Sequence, residues 1–366
     1  MSVLTVLFFV VGVVALVAGA EALVRGAARI AARTGLSSVV IGLTVVAFGT
    51  SAPELAVSLG AGFRDQADLA IGNVVGSNIA NVLLVLGLSA VVGAGLVVDR
   101  RIVRIDVPIM VGLSLVLFGF SYDKQLERWE GAVLFVGLVV YIAWTVITTR
   151  RGAEAGESVA MDLDIDLDEA VLGTTSVWHD VGFVAAGLVL LVIGSTALVE
   201  AATDIAESVG VSQLVIGLTV VAVGTSLPEI ATSVLAAMRG ERDLAVGNAV
   251  GSNLFNIMAV LGLTSLISPS AIGVSPGALS VDMPVMIGVA IACLPIFANG
   301  HVIARWEGWV FLLGYLAYVA WLVIDSADHA IRSTYAVGVL GFTLPLTILT
   351  FVVIAVRQRR RPAMSG

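Results

Sequence analysis

Two glutamates, Glu54 and Glu229, lie inside long apolar stretches of this 366-residue chain. A charged side chain within a membrane-length apolar stretch costs at least about 2.5 kcal/mol, so each glutamate predicts a functional site. Both stand in the pattern Gly-Thr-Ser-x-Pro-Glu. Proline disrupts a helix interior but fits the first turn of a new helix. We therefore predict that the helix breaks at residues 49–51 and 224–226 and restarts at the proline.

Neutral oxygen donors accompany the two glutamates. Asparagines and serines spaced by four residues share one face of the following helix in each copy. With the hydroxyls before the prolines and the backbone carbonyls that the breaks would free, the candidate ligands are Ala47, Thr50, Ser51, Ser77, Asn81, Ala222, Thr225, Ser226, Ser252 and Asn256. Such oxygens suit hard cations like Ca²⁺, whereas zinc and copper more often draw on His or Cys. The two glutamate charges match one Ca²⁺, and Na⁺ or protons could replace it.

Four further asparagines on the same helices leave two interpretations open. Asn73, Asn78, Asn248 and Asn253 either bind the ion or hold the broken helix from behind. Glycines on these helices are interpreted as points of close helix packing.

The candidate site occurs twice because the sequence repeats. Residues 49–81 return as residues 224–256 with 19 of 33 positions identical, and shorter matches flank them. Each copy comprises five apolar spans. Since five is odd, the second copy must enter the membrane from the opposite side, an arrangement typical of secondary transporters with a site at the repeat interface.

Composition excludes an ordinary soluble protein, since 58% of residues are apolar and 13% charged against roughly 45–50% and about 25%. We predict an all-α polytopic membrane protein with two inverted five-helix repeats, broken helices in spans 2 and 7, and one extra C-terminal helix. The predicted spans are 2–20, 38–63, 69–95, 105–121, 130–148, 181–199, 211–237, 244–268, 279–298, 305–324 and 335–356. The first is interpreted as a retained helix rather than a signal peptide.

The predicted organisation has four parts. Residues 1–149 form the first repeat, 150–178 an acidic cytoplasmic linker, 179–325 the second repeat, and 326–366 the extra helix with a basic tail. The linker is interpreted as a solvated segment, with Ca²⁺ sensing as the alternative.

Basic residues predict the orientation. With the N-terminus outside and the C-terminus cytoplasmic, 15 of the 19 Lys and Arg residues fall in cytoplasmic segments, as the positive-inside rule requires. The chain is therefore expected in the plasma membrane, in contact with lipid and without a nucleic-acid partner.

The paired motifs GTSAPE with GNVVGSNIAN, and GTSLPE with GNAVGSNLFN, resemble the α-repeats of sodium/calcium exchangers in the calcium:cation antiporter superfamily. The resemblance implies export of Ca²⁺ in exchange for Na⁺ by alternating access, with the long first and sixth helices sliding past the core. It implies a central Ca²⁺ site at Glu54, Glu229, Thr50 and Thr225. It also implies flanking Na⁺ sites at Ser51, Ser77, Asn81, Ser226 and Ser252.

One departure from the family concerns Asn256, because many members carry an aspartate there. It leaves the use of H⁺ or K⁺ open, and a Ca²⁺/H⁺ exchanger using the same two glutamates is the main alternative. A passive channel shares the oxygen ligands but not the expected alternating access. The sequence shows neither the clustered His/Asp metal site nor the buried nucleophile and base that an enzyme would need, so we expect neither catalysis nor a cofactor.

Asp106 and Asp282, which precede helix-starting prolines, are predicted to cap those helices.

Overall fold

The computed structural model describes residues 3–34, 36–64, 66–154, 177–208 and 222–327 of the chain. These residues are mostly helical, with two pairs of two-residue strands. The first repeat comprises α1 (Val3–Thr34), α2 (Ser38–Thr50), α3 (Ala52–Phe63), α4 (Ala67–Val92), β1 (Leu96–Val97), α5 (Ile102–Asp123), β2 (Gln125–Leu126) and α6 (Arg128–Glu154).

The second repeat has the same order of elements. It comprises α7 (Val177–Ser208), α8 (Ala222–Thr225), α9 (Leu227–Met238), α10 (Arg242–Ile267), β3 (Ile272–Gly273), α11 (Ala278–Ala298), β4 (Val302–Ile303) and α12 (Arg305–Ala327). The eleventh predicted span, the basic tail, most of the acidic linker and the first part of span 7 lie outside the described residues.

Eight described helices are long and apolar enough to cross a membrane, and α2 with α3 forms a further span bent by 44°. The predicted break in span 2 is confirmed, since α2 ends at Thr50 and Pro53 lies in the first turn of α3. Span 7 breaks in the same way between Thr225 and Leu227. The polytopic helical fold is therefore as predicted.

Helix α1 is longer than the predicted span 2–20. It has 32 residues, which make about 48 Å of helix against a hydrocarbon core of about 30 Å. Its extension carries Arg25, Arg29 and Arg33, whose spacing of four places them along one face. The basic segment between the first two predicted spans is thus a helical continuation of α1, and the whole helix is longer than the hydrocarbon core is thick.

The two strand pairs demonstrate the inversion. Strand β1 pairs antiparallel with β4, and β2 pairs antiparallel with β3. The loop after the third span of one repeat therefore lies beside the loop before the fifth span of the other. Equivalent loops lie at opposite ends of the bundle, as the odd number of spans per repeat predicts.

Glycines bring the repeats into close contact. Helices α1 and α7 run antiparallel, and a Cβ on Gly19 would lie 2.8 Å from the carbonyl oxygen of Gly187. Helix α10 approaches α2 similarly, since a Cβ on Gly251 would lie 2.8 Å from the Cα of Leu43. The predicted packing role is confirmed for Gly251. It is wrong for Gly72 and Gly76, because a Cβ at either position would meet nothing within 4 Å.

The capping prediction for Asp106 and Asp282 is wrong. Neither side chain caps its helix, because a π-helical turn precedes each proline and continues into it. The carboxylates instead accept hydrogen bonds from the next span, Asp106 from Tyr141 at 2.9 Å and Asp282 from Tyr318 at 3.0 Å.

Candidate cation-binding site

The two helix breaks bury both glutamates. Glu54 lies in the first turn of α3 and Glu229 in the first turn of α9, and both side chains have no exposed surface. Ser51 and Ser226, which precede α3 and α9, have similar backbone angles: φ −81° and ψ 7° for Ser51, and φ −86° and ψ 5° for Ser226. These angles turn the backbone between the two helices. The repeated sequence thus builds the same bend twice.

Serine hydroxyls contact the glutamate carboxylates. Ser77 donates to Glu54 Oε1 at 3.5 Å, and its repeat mate Ser252 donates to Glu229 Oε1 at 3.5 Å. Ser51 of the first repeat also donates to Glu229 Oε1, at 3.3 Å. The Glu229 carboxylate therefore receives donors from both repeats, which places it at their interface.

The second carboxylate oxygen of each glutamate differs from the first in its hydrogen bonding. Within the described part of the chain, Oε2 of Glu54 and Oε2 of Glu229 are buried and have no hydrogen-bond partner. A buried carboxylate without compensation is strongly unfavourable, so it requires a cation or a proton. One such oxygen from each repeat gives the site its capacity to bind positive charge.

Thr50 and Thr225 each form a hydrogen bond with a residue of the opposite repeat. Thr50 donates to Asn248 Oδ1 at 3.1 Å, and Thr225 donates to Asn73 Oδ1 at 3.4 Å. Thr50 also lies 3.4 Å from Ser252. Each threonine hydroxyl is thus oriented by an asparagine of the opposite repeat.

These asparagines support the broken helices. Asn73 donates from Nδ2 to the backbone carbonyl of Glu54 at 3.1 Å and to Ser58 at 3.0 Å. Asn248 donates to Ser233 at 2.9 Å. Of the two open interpretations, holding the helix from behind is therefore supported for Asn73. Ser58 and Ser233 were missed from sequence, although their identity at equivalent positions was a usable signal.

Asn81 and Ser226 are further predicted ligands that are buried in the structure. Asn81 is fully buried and neither its Oδ1 nor its Nδ2 has a partner among the described residues; the same holds for Ser226 Oγ. Asn81 and Asn256 each begin a π-helical turn, a feature often found at functional sites. Their roles as ligands stay predictions.

The break does not free the Ala47 carbonyl, because its oxygen accepts the Ser51 N–H at 3.0 Å and lies 3.4 Å from the Thr50 hydroxyl. The bond survives because the chain bends only after Ser51. A carbonyl oxygen has two lone pairs, so a ligand role for Ala47 stays a prediction. Ala222 begins the short helix α8, and a ligand role for its carbonyl stays a prediction.

The donor set consists of oxygen. No group of three or more His, Cys, Asp or Glu side chains that could hold a metal occurs among the residues that the structure describes. Carboxylate, hydroxyl and amide oxygens are the ligand types that hard cations prefer. Buried between inverted repeats with broken helices, this site defines a membrane transporter of the secondary-active class.

The family follows from comparison with known proteins. The chain belongs to the sodium/calcium exchanger protein family, whose sequence model matches residues 4–147 and 179–324. It is 37% identical to the putative antiporter CaxA of Alkalimonas amylolytica over 85% of this chain and 96% of that protein. It is 33% identical to the sodium/calcium exchanger MaX1 of Methanosarcina acetivorans over 78% of this chain and 89% of that one.

Solved structures give the same family. The sodium-calcium exchanger NCX_Mj superposes with a TM-score of 0.73 at 31% identity, covering 87% of this chain and 99% of that one. The chain is therefore a multi-pass membrane antiporter of the sodium/calcium exchanger family.

Proposed function

We propose that the chain exchanges Ca²⁺ for Na⁺ and exports Ca²⁺ when the Na⁺ gradient is directed inward. The observation that carries the proposal is the pair of fully buried glutamates, one from each repeat, each with an unpartnered Oε2 in the described structure. Two carboxylates neutralise one Ca²⁺ or two Na⁺. Either load leaves the site electrically balanced, which is the condition for exchanging one for the other.

The ligands of the proposed site are those predicted from sequence, with weight on the residues that the structure brings together. Ser51 and Ser252 adjoin Glu229, Thr50 lies 3.4 Å from Ser252, and Ser77 adjoins Glu54. Ca²⁺ accepts six to eight oxygen ligands in flexible geometry, and hydroxyl oxygens can supply those that two carboxylates do not. The name of the relative MaX1, a sodium/calcium exchanger, supports the same ion pair.

The orientation is part of the proposal. The loop charges favour an N-terminus outside the plasma membrane and a cytoplasmic C-terminus. The paired loops β1–β4 would then lie at the cytoplasmic end, and β2–β3 at the outer end. Alternating access would expose the glutamates to each end in turn.

Proton exchange is the competing proposal. The unpartnered Oε2 atoms could each carry a proton, which would balance the two charges without Na⁺. The hydroxyls around the carboxylates favour Na⁺, because a proton needs no further oxygen ligands.

Sealed liposomes separate the two proposals. Purified protein is reconstituted into vesicles loaded with Na⁺, with equal pH and K⁺ on both sides and a protonophore present, and ⁴⁵Ca²⁺ uptake is followed after dilution into Na⁺-free medium. We expect uptake only with the outward Na⁺ gradient. Vesicles containing E54Q provide the leak control, and E21Q, an α1 glutamate paired with Arg25 and Arg239, is the matched active control.

Uptake that ignores Na⁺ but follows an imposed pH gradient without protonophore would overturn the proposal in favour of Ca²⁺/H⁺ exchange. A second series with K⁺ removed from both sides tests K⁺ dependence. Flux at channel rates without any counter-ion would reject antiport altogether.

A further inference from the structure

A chain of amide hydrogen bonds connects the helices α4 and α10 beside the glutamates. Asn78 Nδ2 donates to the backbone carbonyl oxygen of Asn253 at 3.4 Å and to Met286 Sδ at 3.6 Å. Asn78 Oδ1 accepts a hydrogen bond from Asn256 Nδ2 at 3.0 Å. All four of these side chains are buried, so water does not compete for the bonds.

The donor and acceptor types of the partners determine the direction of these hydrogen bonds. A backbone carbonyl and a thioether sulfur accept hydrogen bonds and cannot donate them. Asn78 must therefore direct its Nδ2 toward Asn253 and Met286, and its Oδ1 toward Asn256. In turn Asn256 must present its Nδ2 to Asn78, since two amide oxygens facing each other would repel.

The amide oxygen of Asn256 is therefore available to bind a cation. Asn256 Oδ1 is fully buried and has no hydrogen-bond partner in the described part of the chain. Asn256 follows Ser252 by four residues, so both lie on one face of α10, and Ser252 contacts Glu229. An amide oxygen attracts a cation, whereas an amide NH₂ turned the same way would repel it.

The other repeat lacks this arrangement. Asn253, the repeat mate of Asn78, also donates to a methionine sulfur, Met110 Sδ, at 3.2 Å. However, Asn253 Oδ1 and both amide atoms of Asn81 have no partner among the described residues. Asn81 is therefore not held in one amide orientation, although it is the repeat mate of Asn256.

We propose that Asn78 is a positioning residue that holds the Asn256 oxygen toward the bound cation and so strengthens cation binding. This inference rests on the proposed function, because it assumes that the two glutamates bind the transported cation. It assigns Asn78 a role that differs from both the ion binding and the helix support that the sequence left open.

A double-mutant cycle tests the proposal by direct binding. Purified detergent-solubilised wild type, N78A, N256A and N78A/N256A are titrated with CaCl₂ at fixed pH, and the Kd is taken from the cation-induced rise in Tm. We expect N78A to weaken binding about tenfold, since the Asn256 amide can then turn its NH₂ inward. In the N256A background the same substitution should have less than a twofold effect, because Asn78 acts through Asn256.

The inverted repeat supplies the matched control. N253A loses an equivalent amide–sulfur contact but keeps its backbone carbonyl, so the Asn78 chain persists and the Kd should change less than twofold. If N78A does not fold, N78S, whose hydroxyl is too short to reach Asn256, carries the same cycle.

A Kd for N78A within twofold of wild type, or an equal loss in the N256A background, would overturn the positioning role. The proposed function can fail separately. If wild type binds Na⁺ but not Ca²⁺, Na⁺/Ca²⁺ exchange is rejected and the same cycle titrated with NaCl decides the role of Asn78. A wild type that binds neither cation would overturn both proposals.

Discussion

The two repeats share one serine contact to each glutamate and differ at the ends of their long first helices. Ser77 and Ser252 contact Glu54 and Glu229 at the same distance. At one end of the α1–α7 pair, the buried Asp180 carboxylate contacts Arg33 at 2.5 Å and Arg29 at 3.8 Å. At the equivalent opposite end, Thr5 donates to the exposed Asp204 at 3.1 Å.

This difference fits a transporter whose inverted repeats exchange conformations between its two access states. A site used in both states gains from having equivalent halves, because the ion then meets the same ligands from either side. The helix ends have no such requirement. A buried salt bridge at one end and a hydroxyl bond to an exposed carboxylate at the other can make the two states unequal in free energy.

The strongest test of the equivalence is to remove each glutamate charge. We expect E54Q and E229Q each to reduce Ca²⁺ transport in liposomes at least about 100-fold. Each loses one of the two charges that neutralise Ca²⁺, and every 1.4 kcal/mol of lost binding is worth a factor of ten. Transport is measured as ⁴⁵Ca²⁺ uptake driven by Na⁺.

Both variants should elute as wild type in size exclusion, since glutamine is nearly isosteric. E21Q again serves as the active control. Retained transport in either variant would show that its glutamate is not required, and transport lost in one alone would show that the halves are not equivalent.

A third carboxylate would sharpen the asymmetry at Asn81 and Asn256. We expect N256D to change the Na⁺ concentration for half-maximal transport about tenfold, because a charge a few ångströms from the cation is worth several kcal/mol before desolvation. Transport should also rise with pH, since a buried third acid must lose its proton to bind a cation. The measurement is Na⁺-driven ⁴⁵Ca²⁺ uptake between pH 6 and 9.

The parent protein and N81D are the comparisons for that experiment. N81D places the same charge on the amide that no described residue holds. Unchanged Na⁺ and pH dependence in N256D would exclude Asn256 as a ligand.

The helix ends are expected to differ in stability. D180N leaves Arg29 and Arg33 without their buried counter-charge, and losing one partner of a buried pair costs about 3–5 kcal/mol. We expect about 2 kcal/mol here, because both arginines are partly exposed and solvent screens them. D204N removes one bond at an exposed carboxylate and should cost below about 0.5 kcal/mol. Thermal unfolding of both purified variants in the same detergent measures the difference.

Equal losses of Tm in D180N and D204N would reject this asymmetry. R25Q, which alters a neighbouring arginine on α1 that pairs with Glu21, controls for removal of charge from the helix.

The sequence predicts most of this architecture because its signals are local. Gly49 and Pro53 predict the broken helix, and the odd number of spans per repeat predicts the inversion. The boundary of α1 was missed because the segment carrying Arg25, Arg29 and Arg33 is charged yet helical. The capping prediction for Asp106 failed because Asp106 ends a π-helical turn that continues into the helix containing the proline, and such a turn has no simple sequence signal.

The orientation of site amides lies beyond sequence because it depends on distant contacts. Asn78 and Asn81 are three residues apart and both occur in duplicated positions, yet only contacts with α10 and α11 distinguish the held amide from the unheld one. Likewise the bonds from Thr50 to Asn248 join residues of different repeats. Pattern and spacing identify the ligand types, and packing between repeats decides which atom each one offers.

The smallest expected difference separates the tyrosines of the two repeats. Asp106 is fully buried, accepts from Tyr141 and lies 3.5 Å from Arg101, which also donates to Thr145. Its repeat mate Asp282 is partly exposed and accepts from Tyr318. We expect Y141F to cost about 1 kcal/mol and Y318F about half as much, because water can replace the donor at the partly exposed Asp282 carboxylate but not at the buried Asp106 carboxylate.

Those values correspond to Tm changes of at most about 2–4 °C in a chain of this size, measured by thermal unfolding with Y122F as the exposed-tyrosine control. The ranking is the informative result. If Y318F were the more damaging variant, the partly exposed Asp282 would depend on its tyrosine more than the Arg101-paired Asp106 does. Burial would then not explain how the two copies differ at this position, and the role of Arg101 in stabilising Asp106 would have to be larger than that of Tyr141.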